Sequence, residues 1–570
     1  MTLLTARAVT LAAAGAATLA CARPQPADIV FRGGPVWTAG DARSHPGAVA
    51  VRAGRIVWTG GDDGAGSWIG PGTRVVPLQG RLLLPGFHDA HVHPISSGIE
   101  MTELSLNDCD TPAEIAATIR AYLAQEGAAS GDAWFVGRGW QLPVFPAANP
   151  RREMLDHLVP VRPACLEAAD GHSVWVNSAA LRLAGITKDT ADPPGGKIER
   201  DPATGEPSGT LRDTAARLVR RLLPEYTDAD RDAGLDRALG EMRRFGITGF
   251  NDASASEAEA RAYAGARDAG RLTARGSLSL TVDSRAGADD LPRLAALRAK
   301  FGGPLLSAGS AKIFVDGVIE SRTAALLEPY LGGDPEDRGK PRYTPEALDA
   351  LVAALDREGF QAHFHAIGDR AVRMSLDAIE KARAQNGPRD ARHQIAHLEL
   401  IDPADIPRFA PLGAAADFQP FWAIADAYIT DLTLPVLGPA RSRWIYPIRS
   451  VAKTGAAVVC GSDWAVTTLN PLDAIQIGVT RVDPENPGSG PFLPEERVDL
   501  ATMLTCYTSR GAWLDFREKE TGAIEAGLSA DLIVLDRDLF AIPEAEITKA
   551  RVVMTFFEGK EVWRDAAAGP

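Results

Sequence analysis

Short apolar segments alternate with amphipathic segments over most of the chain, and this alternation restricts the accessible folds more than any other feature. Leu235, Leu239 and Met242 fall at helical spacing before Gly246, and similar spacing recurs before Gly359. Strand candidates alternate with such helices at residues 87–93, 247–252, 275–280, 311–315, 361–365, 394–397, 414–419 and 456–463. Eight strands alternating with helices favour a closed parallel sheet. We therefore expect an α/β chain built on a (β/α)8 TIM-like barrel.

One connection is too long for a simple barrel. About 150 residues separate the first and second strand candidates, whereas an ordinary βα loop has about 2–6. The segment contains Trp134, Trp140, Phe145 and Trp175, together with its own helix candidates. We interpret residues 95–225 as an inserted subdomain. Insertions after a barrel strand overhang the active-site face, so we expect these aromatic residues near the barrel mouth.

The two chain ends share a strand-rich character. Residues 28–31 and a predicted hairpin of 48–51 with 55–58 across Ala53-Gly54 lie near the start. Residues 530–535, 552–557 and 559–563 repeat the pattern near the end. Neither end alone has enough apolar surface for a core. We therefore expect a small β-sandwich domain composed of residues 23–84 and 520–566, with the barrel over 85–519.

The N-terminus has the pattern of an export signal. Arg7 precedes an apolar run over residues 8–20 that ends at Ala20-Cys21-Ala22, as in a secretory signal peptide over residues 1–22. The run is shorter than the roughly 20 residues of a transmembrane helix. We expect a protein exported to the bacterial periplasm, with no transmembrane segment. Two alternatives stay open, namely a buried N-terminal helix and a lipid anchor on Cys21, although Thr18 replaces the leucine usual in lipoprotein signals.

The charge balance excludes some partners. The chain has 60 Lys and Arg against 74 Asp and Glu, a formal net charge of −14, which argues against nucleic acid and anionic membranes. The remaining cysteines are far apart and lack metal-ligand spacing, so we predict that they are small core residues: Cys109, Cys165, Cys460 and Cys506.

The histidines are not randomly placed. Ten are present, and four form the pairs His91/His93 and His363/His365, whereas random placement predicts about 0.2 such pairs. Residues i and i+2 of a strand share a face, so His91 and His93 can point into one site. Imidazole nitrogens are common ligands of zinc. Each pair alone is weak evidence for a metal site.

Further polar residues lie at or near the carboxyl ends of other predicted strands. Lys312 lies on the fourth strand, His365 ends the fifth, His397 ends the sixth and Asp463 ends the eighth. Catalytic groups of barrel enzymes occupy these ends. We therefore expect one site that includes His91 and His93. The alternative is a set of buried histidines and aspartates satisfied by backbone groups.

Several longer motifs resemble one family in sequence and in order. They resemble the amidohydrolase superfamily, and within it the amidohydrolase-3 (YtcJ-like) family, over nearly all of residues 28–565. The matching segments are Leu-Pro-Gly-Phe-His-Asp-Ala-His-Val-His at 84–93, Asp-Gly-His-Ser at 170–173, Val-Asn-Ser-Ala-Ala-Leu at 176–181, Lys-Ile-Phe-Val-Asp-Gly at 312–317, His-Ala-Ile-Gly-Asp-Arg-Ala at 365–371, Gly-Ser-Asp-Trp at 461–464, Gly-Ala-Ile-Glu-Ala-Gly at 522–527 and Ala-Asp-Leu-Ile-Val at 530–534.

The resemblance implies a site for two divalent metal ions, with Zn²⁺ as the expected metal. His91, His93 and Asp463 would bind one ion, His365 and His397 the other, and an N6-carboxylated Lys312, formed with CO2, would bridge them. An ammonium beside two cations would be repelled, whereas a carbamate offers each an oxygen. A lysine that reaches solvent or pairs with Asp316 is the alternative.

The implied reaction is hydrolysis of a C–N bond of the amide, N-acyl or N-formyl type. Asp463 would be the catalytic residue, accepting a proton from the attacking water and passing it to the departing amine. His172 in the insertion, with Gln419 and Trp422 after the seventh strand, would contact a small-molecule substrate that carries an apolar or aromatic group. His363 would lie one layer deeper than His365, and His88 on the other strand face.

Other functions fit the same residues. An ester, lactone or carbamate hydrolase would use the same nucleophile. A non-catalytic surface lipoprotein that binds a small molecule is an alternative of another class. Such a protein would be expected to have lost some metal-binding residues, whereas all six are present here. The substrate and the oligomeric state stay open, with a homodimer as one option.

Overall fold

The computed structural model describes residues 24–126 and 133–566. The predicted signal peptide over 1–22, including Cys21, lies outside the described residues. Within the described ranges, no helix combines the length and apolar character needed to cross a membrane.

Eight parallel strands form the central sheet and follow one another around it in chain order. We call them barrel strands 1 to 8, and all eight predicted strands are present. Their bounds are Phe87–Val92, Ile247–Ala255, Arg275–Thr281, Leu306–Phe314, Gln361–Ala366, Gln394–His397, Ala415–Phe418 and Ala457–Cys460. The predicted (β/α)8 fold class is confirmed.

Two strand boundaries differ from the prediction where they matter for the site. Barrel strand 4 begins at Leu306, five residues before the predicted start, so Lys312 lies well inside it. Barrel strand 8 ends at Cys460, and Asp463 lies three residues beyond. Asp463 has a left-handed φ of 53°, which a regular strand cannot contain.

The barrel closes between strands 1 and 8 without a regular ladder. At the carboxyl end, Asp463 N–H donates to His91 O at 2.7 Å. At the other end, His88 N–H donates to Tyr507 O at 2.6 Å, so the segment after barrel strand 8 fills the gap. Closure at the carboxyl end therefore fixes the backbone of Asp463 directly against that of His91.

Gly461 permits this close approach, so we predict that Gly461→Ala destabilises the protein. An added Cβ would lie 2.4 Å from His91 N and 2.6 Å from His91 Cβ. Overpacking of this kind typically costs about 1–3 kcal/mol, which thermal or denaturant unfolding measures. Gly309→Ala in barrel strand 4 is the matched control, because its Cβ would meet nothing within 4 Å. Equal stability of the two variants would contradict the role assigned to Gly461.

Helices surround the barrel and begin at recognisable caps. Capping boxes begin the first two helices after the insertion: Thr227 with Asp230 caps one, and Ser256 with Glu259 caps the next. The helices after residue 225 are Asp228–Arg244, Glu257–Asp268, Leu291–Phe301, Pro345–Arg357, Asp369–Asn386, Phe409–Leu412, Leu434–Leu437, Pro439–Ser442, Ile448–Ala452, Pro471–Thr480, Leu500–Cys506 and Ser509–Leu514. The apolar faces of most of these helices join the strands in one large core.

Strands from both chain ends form a second sheet, as predicted. The Arg52–Arg55 pair closes a hairpin in which Ala53 and Gly54 have φ values of 49° and 77°, the pattern of a type I′ turn. Phe31 from one end packs edge-to-face on Phe556 from the other. In spatial order the strands are Lys560–Arg564, Val552–Phe557, Leu532–Leu535, Leu82–Pro85, Ile29–Val36, His45–Arg52 and Arg55–Gly60, with Arg74–Pro77 paired to Ile29–Val36.

The insertion between barrel strands 1 and 2 has its own sheet. Its strands in spatial order are Gly196–Arg200, Pro207–Asp213, Ser173–Val176, Ala164–Ala168, Phe135–Trp140 and Leu104–Ser105. Its helices are Pro94–Glu100, Pro112–Glu126, Arg152–Leu158, Ser178–Ala184 and Arg217–Arg220.

The expectation that the insertion's large aromatic residues approach the barrel mouth is wrong. Trp140 and Trp175 are fully buried and pack with Phe145 in the insertion's own core. The Trp140 indole N–H donates to Leu166 O, and that of Trp175 donates to Arg151 O. Trp134 packs on the insertion's other core cluster. A subdomain with a separate sheet needs its own apolar interior, and these side chains supply it.

Candidate metal centre

The six predicted ligand residues converge at the carboxyl end of the barrel. His91, Lys312, His365 and His397 are 1–3% exposed, and Asp463 is 7% exposed. Their burial argues against the surface alternative for Lys312, whose Nζ lies 3.3 Å from His91 Nε2. Asp316 is not its partner, because its carboxylate accepts backbone N–H groups, including those of Ile367 and Gly368.

Asp463 lies among three of the histidines. Its Oδ1 lies 3.0 Å from His93 Nε2 and 3.7 Å from His91 Nε2, and its Oδ2 lies 4.0 Å from His397 Nδ1. Both His397 and Asp463 have left-handed φ values, 80° and 53°. Such conformations cost about 1–3 kcal/mol each and are typical of functional sites.

The donor atoms fit a divalent metal ion. Ligand atoms of His91, His93 and Asp463 lie within 4.8 Å of one another, and so do those of His91, His363 and Asp417. Imidazole nitrogen with carboxylate oxygen is the donor set of many zinc sites. The rings of His365 and His397 are adjacent, with centroids 4.5 Å apart. His365 Nδ1 is buried without a hydrogen bond, 3.4 Å from Asp316 Oδ1.

Burial determines the charge state of the cluster. It lowers the pKa of His91 and His365 well below the usual range and that of His397 to about 3, so these imidazoles are neutral donors. Burial also lowers the pKa of Lys312 to about 8. Burial opposes ionisation of Asp463, but the hydrogen bond with His93 and the charges of His93, His397 and Lys312 together outweigh it and lower the pKa to about 2. Burial also opposes the charge on His93, but the hydrogen bond and charge of Asp463 outweigh it and raise the pKa of His93. The centre therefore combines three neutral imidazoles with one ionised carboxylate that pairs with His93.

Two residues lie behind His91: Asp417, which was not predicted as part of the site, and His363, which was expected one layer deeper than His365. Asp417 Oδ2 on barrel strand 7 lies 3.2 Å from His91 Nδ1, and His363 Nε2 lies 3.0 Å from the same nitrogen. Ser279 Oγ lies 2.8 Å from His363 Nδ1. A partner on the second ring nitrogen fixes the tautomer of a metal-binding histidine. The signal for Asp417 was present in the sequence, because it is the one charged residue in the apolar stretch 414–418.

The insertion contributes His172 to the site. His172 Nε2 lies 3.3 Å from His365 Nε2, and its Nδ1 lies 2.8 Å from Asp213 Oδ1. Arg342 also donates to Asp213 Oδ1, at 2.8 Å. Burial opposes ionisation of Asp213, but the hydrogen bond with His172 and the charges of His172 and Arg342 together outweigh it and lower the pKa to about 2. Asp213 and Arg342 thus hold His172 against the barrel residues.

The two predicted contact residues after barrel strand 7 have different positions. Gln419 is fully buried behind His397, whose Nδ1 lies 2.9 Å from Gln419 Oε1. Its amide also donates to Asp417 Oδ1 at 3.2 Å. Gln419 therefore orients ligand residues and does not line either cavity at the centre. Trp422 stacks on His397, with ring centroids 5.6 Å apart and planes 23° from parallel.

Two adjoining cavities meet at the centre. One of about 350 Å³, the histidine cavity, is lined by His91, His93 and Lys312. The other, the acidic cavity, encloses about 230 Å³ and includes Trp422. Residues common to both linings are His172, His365, His397 and Asp463, with Ala169, Asp170 and Val466. A substrate in either cavity would contact the predicted ligands.

The other histidines lie away from this centre. His88 pairs with Asp515 at 2.8 Å on the far face of barrel strand 1, and His393 lies 3.2 Å from Asp356. His45 and His157 are exposed. The four described cysteines are buried and unpaired, as expected for core residues.

Comparisons with known proteins agree with the fold. The chain is 30% identical to the amidohydrolase YtcJ of Bacillus subtilis (strain 168) over 94% of this chain and 99% of that protein. It is 28% identical to N-substituted formamide deformylase of Arthrobacter pascens, over 91% of this chain and 95% of that protein. The solved structure of a metal-dependent hydrolase from Pyrococcus horikoshii OT3 has the same fold, with a TM-score of 0.71 and 22% identity. The match covers 90% of this chain and 99% of that chain.

The family model described as the amidohydrolase family matches residues 74–563, which include the barrel, the insertion and five of the eight strands in the sheet from the two chain ends. This match spans all six converging residues, and it confirms the predicted resemblance. The chain belongs to the amidohydrolase family.

Proposed function

We propose that the protein is a metal-dependent hydrolase that cleaves the C–N bond of amides of the N-acyl or N-formyl type. Family membership supports a hydrolase. The observation that carries the proposal is the position of Asp463, an ionised carboxylate within 4.0 Å of His91, His93 and His397 in a buried centre. The name of one relative, N-substituted formamide deformylase, supports the choice of a C–N bond.

His91, His93 and Asp463 would hold the first ion, and His365 with His397 the second. A carboxylated Lys312 would bridge them, and its lowered pKa supports this because carboxylation needs a neutral amine. Two divalent ions, with zinc as the expected metal, lower the pKa of water and polarise the scissile carbonyl when bound.

The chain's own groups would manage the proton and the substrate. Asp463 accepts a proton from the attacking water at a carboxylate oxygen and returns it to the leaving nitrogen, so water and amide become acid and amine. Asp417 and Gln419 hold His91 and His397 in fixed orientations. His172 faces the shared wall of both cavities, and Trp422 covers an apolar substrate group.

We also propose export to the periplasm, supported by the N-terminal pattern over residues 1–22. The mature chain would comprise the composite domain of residues 23–84 and 520–566 and the barrel of 85–519, with the inserted subdomain over 95–225.

A panel of matched substrates tests the choice of bond. Aromatic N-substituted formamides and acetamides are compared with esters of the same acyl and aromatic groups, using zinc-loaded protein. Each kcat/KM is divided by the uncatalysed rate constant, because esters are more reactive in water. We expect the amides to give the larger rate enhancement. A further comparison with N-formylglycine should show a preference of at least ~10-fold for the aromatic amides, from the burial of apolar surface.

Larger enhancements for the esters, or turnover confined to them, would overturn the C–N proposal while leaving the metal centre in place. A preference for N-formylglycine would overturn the assignment of an apolar or aromatic substrate group.

A further inference from the structure

Four carboxylates line the acidic cavity beside the proposed centre. They are Asp170, Glu320, Glu399 and Asp426, and the described residues that line this cavity include no lysine or arginine. The cavity is also lined by Asp463, His365 and His397. Any molecule that fills it therefore reaches the reacting groups as well as these carboxylates.

These carboxylates lack cationic partners. Over residues 24–126 and 133–566, no ion pair within 4.0 Å includes Glu320, Glu399 or Asp426. Glu399 is 1% exposed, and the Thr433 hydroxyl donates a hydrogen bond to its side chain at 3.2 Å. Asp213 nearby is different, because both His172 and Arg342 neutralise it. Burying a carboxylate without a counter-charge is costly, so the buried Glu399, together with the partly exposed Glu320 and Asp426, favours a cation from outside the chain.

The electrostatics agree with the geometry. Burial raises the pKa of Glu320 to about 7 and that of Asp426 to about 6, the direction expected when no cation is near. A bound cation would lower the pKa of both carboxyl groups and would be attracted by both carboxylates.

Aromatic side chains line the same cavity, and one has a free phenol. Tyr446 is 3% exposed, and its hydroxyl has no hydrogen-bond partner among the residues described. Trp422 lies beside it, with ring centroids 6.5 Å apart. Tyr428 differs, because its hydroxyl donates to Gln141 at 2.9 Å. Aromatic faces next to carboxylates attract organic cations more strongly than either group alone.

The spacing of the carboxylates favours an organic cation over a metal ion. Among the described residues, the sets whose ligand atoms lie within 4.8 Å of one another belong to the histidine cluster, and neither contains Glu320, Glu399 or Asp426. Carboxylates that are spread around a cavity suit an ammonium group, because it does not need several ligand atoms as close together as a metal ion does.

We propose that the acidic cavity binds a positively charged ammonium group carried by the substrate's apolar moiety. This inference rests on the proposed function, and it narrows the substrate class to amides with an ammonium joined to the scissile bond through an aromatic or aliphatic spacer. A carboxylate at the same position would be repelled by ionised Glu320 and Asp426.

Three formamides of nearly equal shape test the inference on the metal-loaded wild-type protein. They are N-[4-(aminomethyl)benzyl]formamide, the neutral N-(4-ethylbenzyl)formamide and the anionic N-(4-carboxymethylbenzyl)formamide. We expect kcat/KM for the cationic compound to exceed that of the neutral one by at least ~10-fold, with the anionic one lowest. Equal or reversed values would overturn the inference, while turnover of the neutral amide would leave the proposed function standing.

A variant and a binding measurement complete the test. Glu320→Gln should bring the cationic-to-neutral ratio towards one, whereas Glu358→Gln, on an exposed residue after helix Pro345–Arg357, should preserve it. Thermal unfolding checks that both variants fold. Calorimetry with benzyltrimethylammonium should detect binding to the wild type that Glu320→Gln weakens at least ~10-fold. Such binding without hydrolysis of any amide would refute the proposed function and keep the subsite, and its absence would refute the subsite.

Discussion

Replacing Lys312 with alanine should remove most bound metal and reduce kcat/KM by at least ~10²-fold. Lys312 is 1% exposed and lies 3.3 Å from His91 Nε2, so its substitution leaves the centre without the proposed bridging group. Loss of a partner behind a metal ligand already costs about 10–100-fold, and loss of a bridging ligand should cost more. Metal content per chain and steady-state kinetics measure both effects.

Added formate or acetate should partly restore metal binding and activity to Lys312→Ala, because a short carboxylate can occupy the space of the carbamate. Lys300→Ala is the matched control, since Lys300 is exposed and pairs with Glu257 at the surface. Full metal content and near-normal turnover in Lys312→Ala would remove Lys312 from the centre.

Asp463→Asn should keep the fold and reduce kcat by roughly 10²–10⁴-fold, the scale of general acid–base catalysis. Asparagine retains an oxygen that can accept from His93, but its amide cannot take up the proton of the attacking water. The Asp463 backbone N–H bond to His91 O does not depend on the side chain, so closure of the barrel should persist.

Circular dichroism and metal analysis of Asp463→Asn separate loss of catalysis from loss of structure. Asp268→Asn, on an exposed helix residue, is the control and should behave as the wild type. A kcat for Asp463→Asn within ~3-fold of the wild type would contradict the catalytic role of Asp463.

The fold was predictable because its signals are local. Each barrel strand is a short apolar run beside an amphipathic helix, and the hairpin at Ala53-Gly54 is specified by its turn residues. The ligand candidates were accessible for the same reason, since parallel strands in a barrel bring their carboxyl ends together. His91 and Asp463 are distant in sequence, yet strand order alone made them neighbours.

The remaining features depend on contacts that no local pattern encodes. Trp140 and Trp175 were expected at the barrel mouth, but the insertion has its own sheet and needs them as its core. The position of Gln419 behind His397 follows from the strand ending at Phe418, one residue earlier than predicted. Asp213 joins His172 because the strands Ser173–Val176 and Pro207–Asp213 pair within the insertion's own sheet.

The acidic cavity was also inaccessible from the sequence. Glu320, Glu399 and Asp426 come from three loops that follow barrel strands 4, 6 and 7, and each is separated from the others by helices or strands. A scattered carboxylate in a loop has the sequence pattern of a solvent-exposed residue. Only the assembled structure brings the three to one cavity, whose described lining includes no lysine or arginine.

The most direct test of a metal-dependent hydrolase at this centre is a metal titration of the wild-type protein. The protein is treated with a chelator, dialysed, and assayed with an aromatic formamide while zinc is added in known amounts. The proposed ligand set predicts that the stripped protein is inactive, that activity returns with bound zinc and that it saturates at two ions per chain. Full activity in protein with less than about 0.1 metal ion per chain would contradict the account.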